Sequence, residues 1–315
     1  MKNVPAAQTG KIAVLMGVYN GSRFLHEQLQ SIGNQSVEQI DLWVSDDGST
    51  DSSLAILNAR KGEWSKGEFH IVDGPQSGFS ENFRSLMRND KINADYVAFS
   101  DQDDIWDQDK LEVAIRALSR CDPDRPALYG GRTRIIDEAG RVLGHSPQFR
   151  RRPGFGNAIV QNIAGGNTMV FNRAAWAVLS ESARRTSFVS HDWWCYIMIS
   201  GCGGTVIYDP EPHIGYRRHG SNLVGDNISW RSQIQRIRRL VGGQLASWSD
   251  NNLASLQICY GLLEEESQAV VDEFQLLRVE KSPLRRLQRL RNSGIYRQSD
   301  KGNLGLCVAA LLNRL

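Results

Sequence analysis

The chain lacks any cysteine pairing of the sort that staples a small fold or grips zinc. Its five cysteines, Cys121, Cys195, Cys202, Cys259 and Cys307, are odd in number and widely spaced. That argues for a reducing compartment and against both a disulfide frame and a thiolate metal site. Long apolar runs are missing too. No stretch approaches the ~20 residues that a membrane-spanning helix needs, and the longest late run, Leu304 to Leu312, is too short. The opening Met1-Lys2-Asn3-Val4-Pro5 has no apolar signal core, so the expected location is cytoplasmic. Basic runs carry no interleaved aromatics and no known nucleic-acid motif, which leaves nucleic acid out as a partner. Internal repeats and low-complexity segments are absent. What remains is ordinary for a globular protein: 315 residues, 41% hydrophobic and 23% charged, enough to bury a full core.

Against this plain background, carboxylates cluster. The run Ser100-Asp101-Gln102-Asp103-Asp104-Ile105-Trp106 puts three of them in four residues, directly after a strand-like Asp95-Tyr96-Val97-Ala98-Phe99. Adjacent carboxylates repel, so a folded chain keeps them together when something positive sits between them. In an extended segment, residues two apart point the same way, which pairs Asp101 with Asp103. Hard oxygen ligands of this kind suit Mg²⁺ or Mn²⁺. The competing reading is a helix N-terminus, and Asp107 and Asp109 are assigned to that cap ahead of Leu111, Ala114, Ile115 and Leu118.

A second acidic element lies upstream. Residues Lys11 to Met16 read as a buried strand running into Gly17-Val18-Tyr19-Asn20-Gly21, and a helix-period stretch through Phe24, Leu25, Leu29 and Ile32 follows. Ile40-Asp41-Leu42-Trp43-Val44 makes the next strand, closed by Ser45-Asp46-Asp47-Gly48-Ser49. Strand, helix, strand at this spacing is a parallel βαβ unit, and open parallel sheets bind ligands at the carboxyl ends of their strands. Asp46 and Asp47 serve equally as a turn and helix cap ahead of Leu54, Ile56 and Leu57, and both readings stand at this stage.

These motifs resemble family-2 glycosyltransferases of the GT-A fold, which share a strand ending in Tyr-Asn, an Asp-Asp-Gly-Ser segment and an Asp-x-Asp motif. The resemblance implies an α/β fold: a Rossmann-like, mostly parallel sheet flanked by helices. It implies that Tyr19 flanks a nucleotide base, that Asp47 accepts from its ring N–H, that Asp101 lies near ribose or diphosphate, and that Asp103 ligates a divalent metal, Mn²⁺ or Mg²⁺. Gly78-Phe79-Ser80-Glu81-Asn82-Phe83 takes the place of the family's glycine- and asparagine-rich turn, with Ser80 a candidate cap. Gly17 stands where many relatives carry a polar residue and is assigned no contact. Asn162-Ile163-Ala164-Gly165-Gly166-Asn167 resembles the glycine turn behind the acceptor. Ser190-His191-Asp192-Trp193-Trp194 resembles the segment where inverting members carry a catalytic acid pair; its first member here is His191, and Asp192 is the candidate general base, with a helix N-cap as the alternative. Tyr216-Arg217-Arg218-His219-Gly220-Ser221-Asn222 is similar to a rhamnosyltransferase-like branch that builds bacterial surface polysaccharides. It implies His219 at the metal or diphosphate and Arg217 or Arg218 against phosphate, with Gly165, Gly166, His191 and Trp193 around diphosphate and acceptor.

The expected activity is therefore inverting, metal-dependent transfer of L-rhamnose from its deoxythymidine diphosphate donor to a saccharide, lipid-linked acceptor. A uridine diphosphate hexose or N-acetylhexosamine is the competing donor, since both bases offer the same edge to Asp47. A nucleotidyltransferase would open with a glycine-rich phosphate loop and a nearby lysine, which Gly17 to Gly21 do not form. A non-catalytic saccharide- or lipid-binding module would not need Asp47, Asp101, Asp103 and Asp192 as an ordered set.

Two regions are expected. Residues 8–226 form the catalytic domain, with a nucleotide-sugar half to about 120 and an acceptor half over 121–226; residues 227–315 form a helical extension. The boundary falls near Val224-Gly225-Asp226-Asn227. Net charge is only +2, but residues 228–315 hold 13 Lys and Arg against 8 Asp and Glu. Trp230, Ile234, Ile237 and Val241 form a helical stripe bordered by Arg231, Arg236, Arg238 and Arg239. Leu284, Leu287 and Leu290 recur among Arg285, Arg286, Arg289 and Arg291. Basic amphipathic helices of this kind lie on anionic membrane surfaces, so peripheral contact with the inner face of the cytoplasmic membrane is expected, with packing back on the catalytic domain as the alternative.

Overall fold

A computed structural model describes residues 10–220 and 244–315. The stripe from Trp230 to Val241, the boundary near Val224 and the Ser221-Asn222 pair lie outside the described residues.

The chain opens β1 (Ile12–Val18), α1 (Leu25–Gly33), β2 (Ile40–Asp46) and α2 (Ser53–Glu63), followed by β3 (Phe69–Asp73), α3 (Phe79–Met87) and β4 (Tyr96–Ser100). β1 pairs in parallel with both β2 and β4, and β2 with β3. The expected βαβ unit is present. The strand β3 escaped the sequence pattern because its residues Phe69-His70-Ile71-Val72-Asp73 are mostly half-buried at a sheet edge, where the apolar signal is weak.

Next come β5 (Ile105–Trp106), α4 (Lys110–Leu118), β6 (Ala127–Gly131), β7 (Arg134–Ile136), β8 (Val142–His145), the short α5 (Phe155–Ala158) and β9 (Val170–Asn172). Then α6 (Arg173–Arg185), α7 (His191–Gly201), β10 (Thr205–Asp209) and β11 (Ile214–Arg217) complete the sheet region. The main sheet runs β10-β6-β9-β4-β1-β2-β3, parallel except for β9. A second sheet, β5-β11-β7-β8, lies beside it. Strand alternation divides the core in two. Ile12, Val14, Met16 and Val18 join one apolar cluster with α1, α2 and α4, whereas Ala13 and Leu15 face the other, with α3, α6 and α7.

Four helices follow: α8 (Gln244–Ile258), α9 (Glu265–Val279), α10 (Pro283–Asn292) and α11 (Asp300–Leu311). Leu256, Val271, Phe274, Leu277 and Leu290 belong to the same apolar cluster as Trp194 and Ile197 of α7. On α10, Leu287 and Leu290 pack inward, buried Arg286 donates to the Ala310 carbonyl at 2.8 Å, and Arg289 bonds Glu273. Much of the expected amphipathic face of α10 is thus turned toward protein, leaving Leu284, Arg285 and Arg291 outside. Among the described residues no helix is long and apolar enough to cross a membrane.

Candidate active site

The loops after β1, β2 and β4, the three central parallel strands, meet at one edge of the sheet. Tyr19 directly follows β1 with its ring exposed, while its N–H donates to Gln102 Oε1 (2.9 Å) and its carbonyl accepts from Gln102 Nε2 (3.0 Å). Asn20 adopts φ +48° and its Oδ1 accepts from the Thr50 N–H at 2.8 Å. At Gly21 an added Cβ would stand 2.3 Å from Gln102 Oε1, so a larger residue there would push the Gln102 amide off Tyr19. Asp51 clamps them further: burial alone would raise its pKa, but hydrogen bonds from Ser53 and Ser22 win and bring it down to about 2.

Asp47 is buried and accepts from two backbone donors, Gln76 N–H at 2.6 Å and Gly78 N–H at 3.0 Å. It fixes the loop between β3 and α3, and each carboxylate oxygen keeps a second lone pair. Asp46 accepts from Ser49 N–H at 3.0 Å, a turn contact, while its Oδ1 is buried with no partner. Ser80 does not cap α3; its hydroxyl donates to the Phe188 carbonyl. Gly78 stands at the N-cap instead, at φ +88°.

The acidic run is not extended as the alternation argument expects. Strand β4 ends at Ser100 and the chain bends at Gln102 and Asp103, because the Gln102 amide is held by Tyr19 and the Asp101 carbonyl by Ser100 Oγ at 2.9 Å. Asp101 and Asp103 still interact strongly. Burial and the charges of Asp103 and Asp192 push Asp101 up to about 7. Asp104, absent from the sequence assignments, turns fully inward and accepts from Asn167 Nδ2 (2.5 Å) and Arg217 N–H (3.2 Å). Burial, with Asp103 and Asp101 alongside, raises its pKa well above the carboxylate range. Its only sequence signal was the third carboxylate of the run.

His219 is brought to this cluster by strand pairing. β11 lies antiparallel to β5, the segment after the acidic run, and the chain leaving β11 sets His219 Nε2 2.7 Å from Asp103 Oδ2. Arg217 departs from its expected role. Its side chain is fully buried, donating to the carbonyls of Asp103 (2.9 Å) and Glu138 (2.6 Å) and to Glu27 Oε2 (2.6 Å), with the guanidinium 4.5 Å above the Phe24 ring. A buried charge costs several kcal/mol unless paired and hydrogen-bonded, and this one is spent on bracing the acidic loop. Arg218 is half-buried and its N–H donates to the Ile136 carbonyl.

On the far side, Asp192 lies in the first turn of α7. Its Oδ1 accepts from Trp193 N–H at 2.7 Å and from Ser190 Oγ, and its Oδ2 from Asn162 Nδ2 at 2.9 Å. The helix N-terminus favours its negative charge. The glycine turn serves this helix. An added Cβ on Gly166 would sit 2.3 Å from His191 Nε2, so Gly166 makes room for that ring, while Gly165 stays exposed at an ordinary φ of −73°. Trp193 is buried and donates its indole N–H to the Ala158 carbonyl at 2.6 Å.

His191 is buried, stacked on Phe83 with centroids 3.9 Å apart, and neither ring nitrogen has a partner. Burial lowers its pKa to about 4, with Asp192 pulling weakly the other way. Between about pH 6.5 and 4 the unfolded chain binds a proton at this position and the folded chain does not. Stability is therefore intact above 6.5 and lost as pH falls toward 4, by about 3 kcal/mol for this group. In denaturant titrations across this window, the stability of wild type minus that of His191→Leu should fall by that amount as pH is lowered; parallel curves would refute it.

Asp103 and His219 set a carboxylate and an imidazole 2.7 Å apart, in the same run as Asp101, which burial and the charges of Asp103 and Asp192 raise into the neutral range. That chemistry fits a hard divalent cation. Among the described residues, the three ligand atoms that come within reach of one ion are those of Asp107, Asp109 and His213. There Asp107 is already held by both terminal nitrogens of Arg134. Asp109 sits at the N-cap of α4 but makes no capping bond; its Oδ1 lies 3.2 Å from His213 Nδ1.

The sheet, with polar loops gathered at the carboxyl ends of β1, β2 and β4 and a charged helix start opposite, is a GT-A architecture. Residues 13–184 match glycosyl transferase family 2, and the chain belongs to that family: it is a glycosyltransferase. It is 30% identical over 234 residues, 70% of its length and 78% of the other's, to the dTDP-rhamnosyl transferase RfbG of Shigella flexneri. Its fold is similar to that of S. aureus TarS in complex with UDP-GlcNAc, with a TM-score of 0.55 at 15% identity over 96% of this chain and 81% of the other. The mannosyltransferase PcManGT from Pyrobaculum calidifontis, in complex with GDP-Man and Mn²⁺, gives a TM-score of 0.51 at 14% identity, covering 98% and 89%.

Proposed function

We propose that the chain is an inverting, metal-dependent transferase moving L-rhamnose from a deoxythymidine diphosphate donor to a saccharide acceptor in bacterial surface-polysaccharide synthesis. One observation carries the reading: Asp103 meets His219 beside Asp101, and Asp101 is charge-coupled to both Asp103 and Asp192. A diphosphate-holding cluster and a candidate base thus border the same space. The similarity to RfbG supports the thymidine donor; the TarS and PcManGT complexes, with UDP-GlcNAc and GDP-Man, show that this fold accommodates other nucleotides.

In this reading the exposed Tyr19 ring flanks the base, and the free lone pairs of Asp47 accept from its ring N–H. Asp103 and His219 would hold Mn²⁺ or Mg²⁺, with Asp101 near the ribose or diphosphate, and the ion would supply Lewis-acid stabilisation to a departing nucleoside diphosphate. Asp192 takes the proton of the acceptor hydroxyl as that oxygen attacks the anomeric carbon from the face opposite the leaving group. One base and no covalent intermediate give inversion, as in the corresponding hydrolases. A lipid-linked acceptor at the inner face of the cytoplasmic membrane is supported by α11. Leu304, Val308, Leu311 and Leu312 recur along its exposed side, between Lys301 and Arg314.

Calorimetric titration with deoxythymidine and uridine diphosphates, with and without Mn²⁺, tests the proposal. Metal-dependent binding with thymidine tighter is expected. A uridine preference would replace rhamnose with a hexosyl donor, and no binding by the folded protein would remove the nucleotide-sugar reading.

A further inference from the structure

Among the described residues only three aromatic side chains are exposed: Tyr19 (57%), Phe79 (42%) and Trp248 (39%). Tyr19 belongs to the nucleotide loop. The other two are not used by the chemistry above, yet each touches one neighbour of Asp192. Phe79 meets His191 edge-on, with centroids 6.0 Å apart and planes at 72°. Trp248 meets Trp193 in the same manner, at 6.0 Å and 71°. His191, Asp192 and Trp193 are consecutive at the start of α7, so two exposed rings lean on the residues either side of the candidate base.

Both rings stand on anchored backbone. Phe79 follows Gly78, whose N–H is held by Asp47 and whose φ of +88° aims the start of α3. Trp248 stands on α8, which is anchored by buried Leu253 and Leu256 and by Ser255 Oγ donating to the Ser187 carbonyl at 2.7 Å, just ahead of α7. Neither ring is stacked flat against its neighbour, so each keeps π surface open to solvent. Beside the two residues they touch, half-buried Asp192 and Asn162 present polar side chains. An aromatic surface with a few convergent polar groups is the ordinary make-up of a small-molecule site.

We propose that Phe79 and Trp248 are the walls of a subsite that holds a pyranose ring of the acceptor over Asp192, the helical extension thereby supplying part of the acceptor site. The occupant is a pyranoside because its axial C–H groups offer an apolar face to an aromatic ring, while its hydroxyls satisfy the polar groups around it. The proposal rests on the transferase reading and deepens it: Asp192 needs an acceptor hydroxyl fixed within hydrogen-bond reach, and two rings flanking it restrict where a sugar sits.

The experiment is saturation-transfer NMR on the full chain with Mg²⁺ and deoxythymidine diphosphate. The probes are the methyl pyranosides of rhamnose, glucose, galactose and N-acetylglucosamine. Wild type should bind at least one. Trp248→Ala and Phe79→Ala should each weaken that binding about threefold to tenfold, the range for one lost aromatic contact. Trp248→Phe should restore most of it, whereas a purely packing role for the indole would show as lost thermal stability with glycoside binding unchanged. Calorimetric affinity for the nucleotide should be the same in all variants. Unchanged glycoside binding in the double Phe79→Ala, Trp248→Ala variant, or no glycoside binding by wild type that does bind nucleotide, overturns the subsite. Wild type that binds no nucleotide instead overturns the transferase reading on which it rests.

Discussion

Asp192→Asn is expected to stop sugar transfer while leaving the nucleotide site intact. The loss should be of the order of ~10² to 10⁴-fold in turnover, the contribution of a positioned general base. The substitution keeps volume and most contacts: the amide can still accept from the Trp193 N–H, and the Ser190 hydroxyl can rotate to suit either face. What it removes is basicity. The geometry also states why this carboxylate, and not its neighbour, is the candidate. His191 is buried against Phe83 and held neutral, its ring facing Gly166 rather than solvent. Asp192 is half-buried in the first turn of α7, with lone pairs left on Oδ2 beyond the one bonded by Asn162. Nucleotide affinity should stay within about twofold of wild type by calorimetry, since Asp192 touches the donor cluster only through the field felt at Asp101. Near-normal turnover in Asp192→Asn would exclude it as the base.

The sequence showed the parts of this site more clearly than their duties. Strands β1, β2 and β4 were legible because their apolar runs are continuous and buried on both faces, and the polar loops that end them fell where a parallel sheet puts its ligands. The Asp103–His219 meeting was anticipated only through family resemblance. No local pattern relates residues 116 apart in sequence, and the pairing of β11 with β5 does. Arg217 and Gly166 each have a duty that the sequence did not show. An arginine beside an expected phosphate and a glycine beside an expected acceptor both suggest ligand contact, but burial decides what a side chain faces. Arg217 faces the Asp103 loop, and Gly166 leaves space for His191. Trp248 gave no signal at all, because an aromatic on a helix ordinarily belongs to the core.

Asp103→Asn separates stability from function in opposite directions. Asp101, Asp103, Asp104 and Asp192 are crowded closely enough that burial and mutual repulsion hold Asp101 at about 7 and raise Asp104 well above the carboxylate range. Removing one charge relieves that crowding, and the asparagine oxygen can still accept from His219. Without metal, then, the variant's Tm should equal or exceed that of wild type. The same change deletes an anionic ligand. Replacing even the partners that orient a ligand costs ~10 to 100-fold in metal affinity, so losing the ligand itself should cost at least about 100-fold, read as metal-dependent nucleotide binding by calorimetry. A stabilising substitution that abolishes binding is the mark of charges gathered for a cation rather than for the fold. If Asp103→Asn lowered the metal-free Tm and left metal-dependent binding intact, the acidic loop would be a structural turn, and the cation would belong elsewhere. The group formed by Asp107, Asp109 and His213 would then be the next to mutate.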